Sequence, residues 1–108
     1  MNSPSQKLKQ IQSHVRLAVR EMDLSHLAKE RINLIRDLQQ NLADTRIYLN
    51  AYELAEAQQE QREAAKWAKK WLTAAHKNIL VASEYNLFSA IDVAHLSAQI
   101  EQLQDKLT

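Results

Sequence analysis

One short segment combines the side chains most suited to binding a partner. The stretch KWAKKWLTAAHK, residues 66–77, contains two tryptophans and four lysines and no acidic residue. Tryptophans are enriched at the energetic centres of protein–protein interfaces, and lysines are common phosphate ligands. The segment is therefore the first place to look for a binding site.

Helical geometry separates these side chains into two groups. At 100° per residue, Trp67 and Trp71 lie about 40° apart at the edge of the apolar face, and the lysines fall on the opposite side. The simplest interpretation is that the tryptophans pack in the core or at a subunit contact while the lysines are solvated. The alternative is a binding surface, and the candidate partner-binding residues are then Tyr48, Tyr52, Trp67 and Trp71.

A second candidate surface is basic and draws on two predicted helices. A shared phosphate-binding surface would require these helices to lie side by side. The net charge of +1 gives no overall attraction to nucleic acid, and four glutamates in ELAEAQQEQRE, residues 53–63, disfavour a membrane-surface helix. The candidate residues are Lys9, Arg16 and Arg20 in the first helix, and Arg62, Lys66, Lys69, Lys70 and Lys77 in the third.

Residues that could support catalysis or metal binding do not form a recognisable pattern. The four histidines, at positions 14, 26, 76 and 95, include no pair spaced i, i+4, and no repeated Glu-x-x-His pairs occur. Cysteine is absent, as are serine-nucleophile motifs and glycine-rich phosphate loops. We expect a non-enzymatic protein without a metal or another cofactor.

Arg31 interrupts an apolar stripe and is the most unusual charged residue. It falls between Leu27 and Leu34 on the same predicted helix face. Its stem could be buried while the guanidinium reaches solvent. It could instead form a charge pair at an interface and fix helix register, with Glu101 or Asp105 as its partner.

Composition predicts the fold class that must position these residues. The chain of 108 residues has no glycine, and its one proline is Pro4. Strong helix formers dominate, and tight turns are disfavoured. We therefore predict a single all-α domain, an elongated antiparallel bundle of about four helices. Their predicted ranges are 4–22, 24–49, 51–84 and 90–107, in the order short, long, long, short.

Capping signals define the predicted helix ends. Asn50 with Glu53 could end the second helix and cap the third, although a continuous rod over 24–84 is the competing prediction. Asn86 is predicted to adopt a left-handed backbone after the third helix. Two further capping boxes are predicted, Ser3 with Gln6 and Ser89 with Asp92.

The unequal helix lengths bear on oligomeric state. Two helices of about half the length of the third would leave part of the long hairpin uncovered. Alanines at Ala64, Ala68, Ala75 and Ala82 would let a neighbouring helix approach closely. A homodimer is the simplest way to cover the remaining apolar surface, because twofold symmetry is the commonest arrangement of soluble oligomers.

These features together favour binding over catalysis. We expect a small interaction module, adaptor or chaperone-like, that self-associates and contacts another protein. The alternative is a nucleic-acid-binding accessory protein that uses the basic faces of helices 1 and 3. The longest aliphatic run, residues 79–82, is too short to span a membrane, and the absence of cysteine fits a reducing, cytoplasmic environment.

Overall fold

The computed structural model describes residues 3–107, which form four α-helices and no strand. The helices are α1 (Pro4–Arg20), α2 (Lys29–Leu54), α3 (Gln58–Glu84) and α4 (Ala90–Lys106). A short 3₁₀ turn, Leu24–His26, precedes α2. Each helix packs against the next, and α1 also packs against α4, so the four close into a ring. The prediction of an all-α antiparallel bundle with two long central helices is confirmed.

The cap residues predicted at the start of α1, after the end of α3 and at the start of α4 occupy those positions in the structure. Ser3 and Gln6 form a reciprocal capping box at the start of α1. Asn86 has φ 58°, which places it in the left-handed region after α3. At the start of α4 the Ser89 hydroxyl accepts a hydrogen bond from the backbone N–H of Asp92, which is one half of the predicted capping box, while the Asp92 carboxylate contacts His14.

The predicted boundary between helices 2 and 3 is wrong. Helix α2 continues through Asn50 to Leu54, and the break lies at residues 55–57, so the chain is also not one continuous rod. Glu53 accepts hydrogen bonds from the backbone N–H and the hydroxyl of Ser5 in α1, at 2.9 and 2.8 Å. Glu53 therefore takes part in a tertiary contact and not in the predicted capping box with Asn50, which would be worth roughly 1 kcal/mol.

The other predicted bounds differ less. Helix α1 ends at Arg20 rather than at residue 22, and α4 ends at Lys106. Residues 24–28, predicted to begin the second helix, instead contain the 3₁₀ turn. The Asp23 side chain accepts a hydrogen bond from the backbone N–H of Ser25, so Asp23 caps the 3₁₀ turn and not α2.

The core is a single cluster to which all four helices contribute. Leucines and isoleucines from α1, α2 and α4 surround the alanine-rich inner face of α3. Small side chains at Ala68, Ala75 and Ala82 leave room for a close neighbour, and all three are buried. The one buried polar residue in the described range, Thr45, donates to the carbonyl oxygen of Asn41.

Interhelical bonds set the register of the shorter helices. His14 in α1 contacts Asp92 in α4, and His76 in α3 contacts Ser97 in α4. The resulting molecule measures 48 × 25 × 19 Å. Within residues 3–107 no helix has the length and apolar character needed to cross a membrane.

Candidate functional site

An aromatic pair lies at the surface of the α2–α3 hairpin, with Trp67 exposed and Tyr48 partly buried. The rings of Tyr48 and Trp67 stack with centroids 6.2 Å apart and an interplanar angle of 26°. Trp67 is 36% exposed, and Ile47, beside Tyr48 on α2, is 62% exposed. Together with Ala51 and Ala64 these residues form what we call the aromatic face.

The aromatic face contains a shallow groove of about 360 Å³ between the two long helices. Tyr48, Ala51, Ala64 and Trp67 provide its apolar wall. The remaining lining residues come from the first two turns of α3: Gln59, Glu60 and Glu63. A rigid apolar surface bordered by charges on one side has the composition expected of a small protein-binding site.

Two lysines flank the exposed tryptophan. The Nζ atoms of Lys70 and Lys66 lie 4.7 and 5.9 Å from the centroid of the Trp67 ring. Cations over an indole face are attracted by its negative potential, at about 0.5–1 kcal/mol for exposed pairs. Sequence analysis grouped these lysines with the face opposite the tryptophans, but around the helix Lys70 lies only about 60° from Trp67 and Lys66 about 100°, so both can reach the ring. The outer edge of the aromatic face is therefore positively charged.

The other two candidate aromatics are not part of this face. Trp71 is partly buried, and its indole N–H is shielded from solvent with no hydrogen-bond acceptor. Tyr52 lines a separate groove of about 450 Å³. The four predicted partner-binding aromatics are thus divided, with only Tyr48 and Trp67 in contact with each other.

The groove beside Tyr52 is polar and basic. Arg62, Lys66 and Lys69 line it from α3, and Leu107 closes it after the end of α4. Its remaining walls are Gln58, Gln61 and Ala65. Part of the predicted basic surface therefore borders a defined concavity next to α4.

The cations of α1 lie on a different side of the bundle. Arg16 borders a groove with Gln39 and Leu42 of α2. Lys9 and Arg20 are also exposed and lie within about 40° of Arg16 around the helix. Because α1 and α3 occupy diagonal positions in the ring, their basic stripes do not merge into the shared surface considered from the sequence.

Arg31 is exposed at the start of α2 and contacts an aromatic ring. Its guanidinium carbon lies 5.0 Å from the centroid of the Tyr85 ring, just after the end of α3. Glu101 and Asp105, the carboxylates expected to pair with it, belong to the later turns of α4. The antiparallel packing places those turns near Leu107 and Tyr52, at the opposite end of the bundle.

A polar cluster links α1 to α4. His14 Nε2 lies 2.9 Å from Asp92 Oδ1, and His14 Nδ1 lies 3.3 Å from Gln99 Oε1. The ring of His95 approaches that of His14 edge-on, with centroids 6.2 Å apart. The hydrogen bond from His14 lowers the pKa of Asp92, with further help from Ser89 and against the effect of burial. The cluster fixes how the two short helices meet.

This cluster predicts a loss of stability in acid. Because the pKa of Asp92 is lower in the folded chain, its contribution is present above the unfolded pKa and disappears as pH falls through the folded one. We expect the free energy of unfolding of wild type to exceed that of Asp92→Asn near pH 5, by up to about 1 kcal/mol for a partly exposed pair. The difference should shrink progressively as the pH falls below the unfolded pKa of about 3.9. A difference that stays constant over this range would show that the carboxylate charge is not its source.

Neither a metal site nor a histidine pair on one helix accompanies this cluster. Within residues 3–107, no group of three or more His, Cys, Asp or Glu side chains is arranged to hold a metal ion. The His14–Asp92 contact joins residues 78 positions apart, and no local spacing signals it. Ile47 is the residue of the aromatic face that sequence reasoning missed, although its position off the core stripe of α2 was a usable signal.

No protein-family model, curated protein or solved structure matches this chain.

Proposed function

We propose that this protein is a non-enzymatic protein–protein interaction module whose binding surface is the aromatic face. The observation that carries the proposal is the exposed Trp67 stacked on Tyr48 beside a groove of about 360 Å³. Aromatic side chains in such a position supply large contact areas on binding. The module would act as an adaptor, by holding one protein surface against another.

The rigidity of this surface favours binding. Both rings project from the middle of long helices, and Tyr48 packs against the core cluster. Lysine contacts on either side of Trp67 further restrict the indole. Because the side chains are already ordered, less conformational entropy is lost when a partner binds.

The shape of the groove suggests the form of the partner surface. A groove between two antiparallel helices accepts a third helix that presents apolar residues every third or fourth position. Along α3 the acidic side chains Glu60 and Glu63 precede Trp67 and line the groove, whereas Lys70 follows Trp67 and contacts its ring. A partner helix with the reverse order of charges would bind in one direction only.

The alternative of nucleic-acid binding through helices 1 and 3 has weaker support. Its proposed surface required the basic residues of both helices on one side, whereas Arg16 borders α2 and Arg62 borders the end of α4. The net charge of +1 adds no long-range attraction. The aromatic face is therefore the better candidate.

Site-specific photo-crosslinking in cells that express the chain tests the proposal. We expect a benzophenone amino acid at Ile47 to give a protein adduct of discrete mass, because this exposed position lies one helical turn before Ala51, which lines the groove. The same adduct should disappear when Trp67→Lys is added, since a lysine there removes the apolar centre of the surface.

The matched control places the same photoreactive residue at Leu80, which is 48% exposed on α3. It lies about 140° away from Trp67 around the helix. We expect no comparable adduct from this position. An Ile47 adduct no stronger than the Leu80 background, or one that persists with Trp67→Lys, would overturn the proposal.

A further inference from the structure

We infer that the occupant of the aromatic face is a second copy of this chain, related by a twofold axis beside Trp67 with the two α3 helices antiparallel. This inference rests on the proposed function, because it uses the same surface and specifies what covers it. Each copy would place its Trp67 against the aromatic face of the other. The contact would be isologous, with the same residues contributed twice.

The charges around Trp67 are complementary to themselves under this symmetry. Glu63 lies four residues before Trp67, and Lys70 lies three residues after it. An antiparallel α3 pair centred near Trp67 therefore brings Glu63 of one copy opposite Lys70 of the other, twice in each dimer.

Within residues 3–107 these charges have no ionic partner in their own chain. The ion pairs of the described range are His14 with Asp92 and His26 with Asp23. Lys70 lies over the Trp67 ring, and Glu63 lines the groove. Both are therefore free to pair across a contact in which the aromatic surface excludes water. Parallel α3 helices would not bring Glu63 to Lys70.

The solvent-accessible area of the chain is consistent with one face that a second copy could cover. The chain exposes 6896 Å². A compact monomer of its mass is expected to expose about 6,200 Å². The excess is close to the roughly 800 Å² that each partner buries in a stable interface. The elongated 48 Å bundle supplies a flat side long enough for such a contact.

Light scattering on the purified chain over a concentration series provides the first test. We expect twice the 12.5 kDa chain mass at concentrations above about 10 μM, within the micromolar-to-picomolar range for interfaces of this size. Trp67→Lys should give a monomer with unchanged helical circular dichroism, and the control Leu80→Lys should remain a dimer. A wild-type chain that stays monomeric at about 500 μM would overturn the inference.

Trp71→Phe leaves Trp67 as the single tryptophan and reports on its surroundings. Its emission should shift to the blue and become protected from acrylamide as the dimer forms. An emission spectrum that does not change with concentration while the mass doubles would place the contact elsewhere and overturn the arrangement.

Charge reversal tests the antiparallel register. We expect Glu63→Lys and Lys70→Glu each to weaken dimerisation about tenfold or more, because each places like charges across the contact. The double variant Glu63→Lys/Lys70→Glu should restore dimerisation, since it exchanges the two ends of both pairs. Failure of the double variant to recover would overturn the antiparallel arrangement.

The crosslinking and light-scattering results together distinguish a failure of this inference from a failure of the proposed function. An Ile47 crosslink to a second copy, together with a dimer in solution, supports both. An Ile47 crosslink that requires Trp67 but joins a different protein, with a monomeric purified chain, overturns the dimer and retains the interaction module. A dimer insensitive to Trp67→Lys, with no Ile47 crosslink, overturns both.

Discussion

Replacing Leu72 by alanine is expected to destabilise the chain by about 2–5 kcal/mol. Leu72 is fully buried in α3 and belongs to the cluster shared by all four helices. Its removal loses apolar burial and leaves a cavity that neighbouring helices cannot fill without moving. Domains of this size have total stabilities of about 5–15 kcal/mol, so the loss would be a large fraction of the whole.

Urea denaturation followed by circular dichroism measures this effect, at one fixed chain concentration because self-association would add to stability. The matched control is Leu80→Ala, the same substitution on the exposed side of the same helix. We expect it to cost less than about 1 kcal/mol. Equal effects at the two positions would contradict the orientation of α3 in the bundle.

Enlarging Ala68 to leucine is expected to destabilise the chain by about 1–3 kcal/mol, or more if the helices cannot separate. Ala68 is fully buried on the inner face of α3, between the buried Ala65 and Leu72. A small residue there allows close helix packing, and interiors at crystal-like density have no space for a larger side chain. The substitution conserves helix propensity, so the cost arises from packing.

The control for this prediction is Ala43→Leu, which makes the same change at an exposed position of α2. We expect its free energy of unfolding to remain within about 0.5 kcal/mol of that of wild type. An unfolding midpoint for Ala68→Leu equal to that of Ala43→Leu would show that the core beside Ala68 has space for a larger side chain. Such a result would contradict the role assigned to the alanines.

Helix ends show where local sequence information suffices. Ser3 with Gln6, and Ser89 ahead of Asp92, determine their helix starts because the donors and acceptors lie within four residues of each other. The predicted Asn50 cap does not form, and Asn50 instead lies inside α2. Ser5 in α1 bonds Glu53, and no local rule contains that interaction.

The candidate site was only partly predictable for the same reason. The positions of Trp67 and Trp71 at an apolar edge follow from 3.6-residue periodicity. Periodicity does not distinguish their environments. In the structure Trp67 stacks on Tyr48 of α2, whereas the indole N–H of Trp71 is buried. The paths of the side chains also matter, because Lys66 and Lys70 reach back to the indole ring.

The sequence by itself determined the helical class, the two long central helices and most of the core stripe. These properties depend on composition, on periodicity and on caps formed by neighbours in the chain, so they are encoded locally. Tertiary structure alone decided the break at residues 55–57, the separation of the two basic stripes, the Arg31–Tyr85 contact and the His14–Asp92 pair. Each of these depends on which helix lies beside which, and ring order and register emerge only when all four helices bury their apolar faces together.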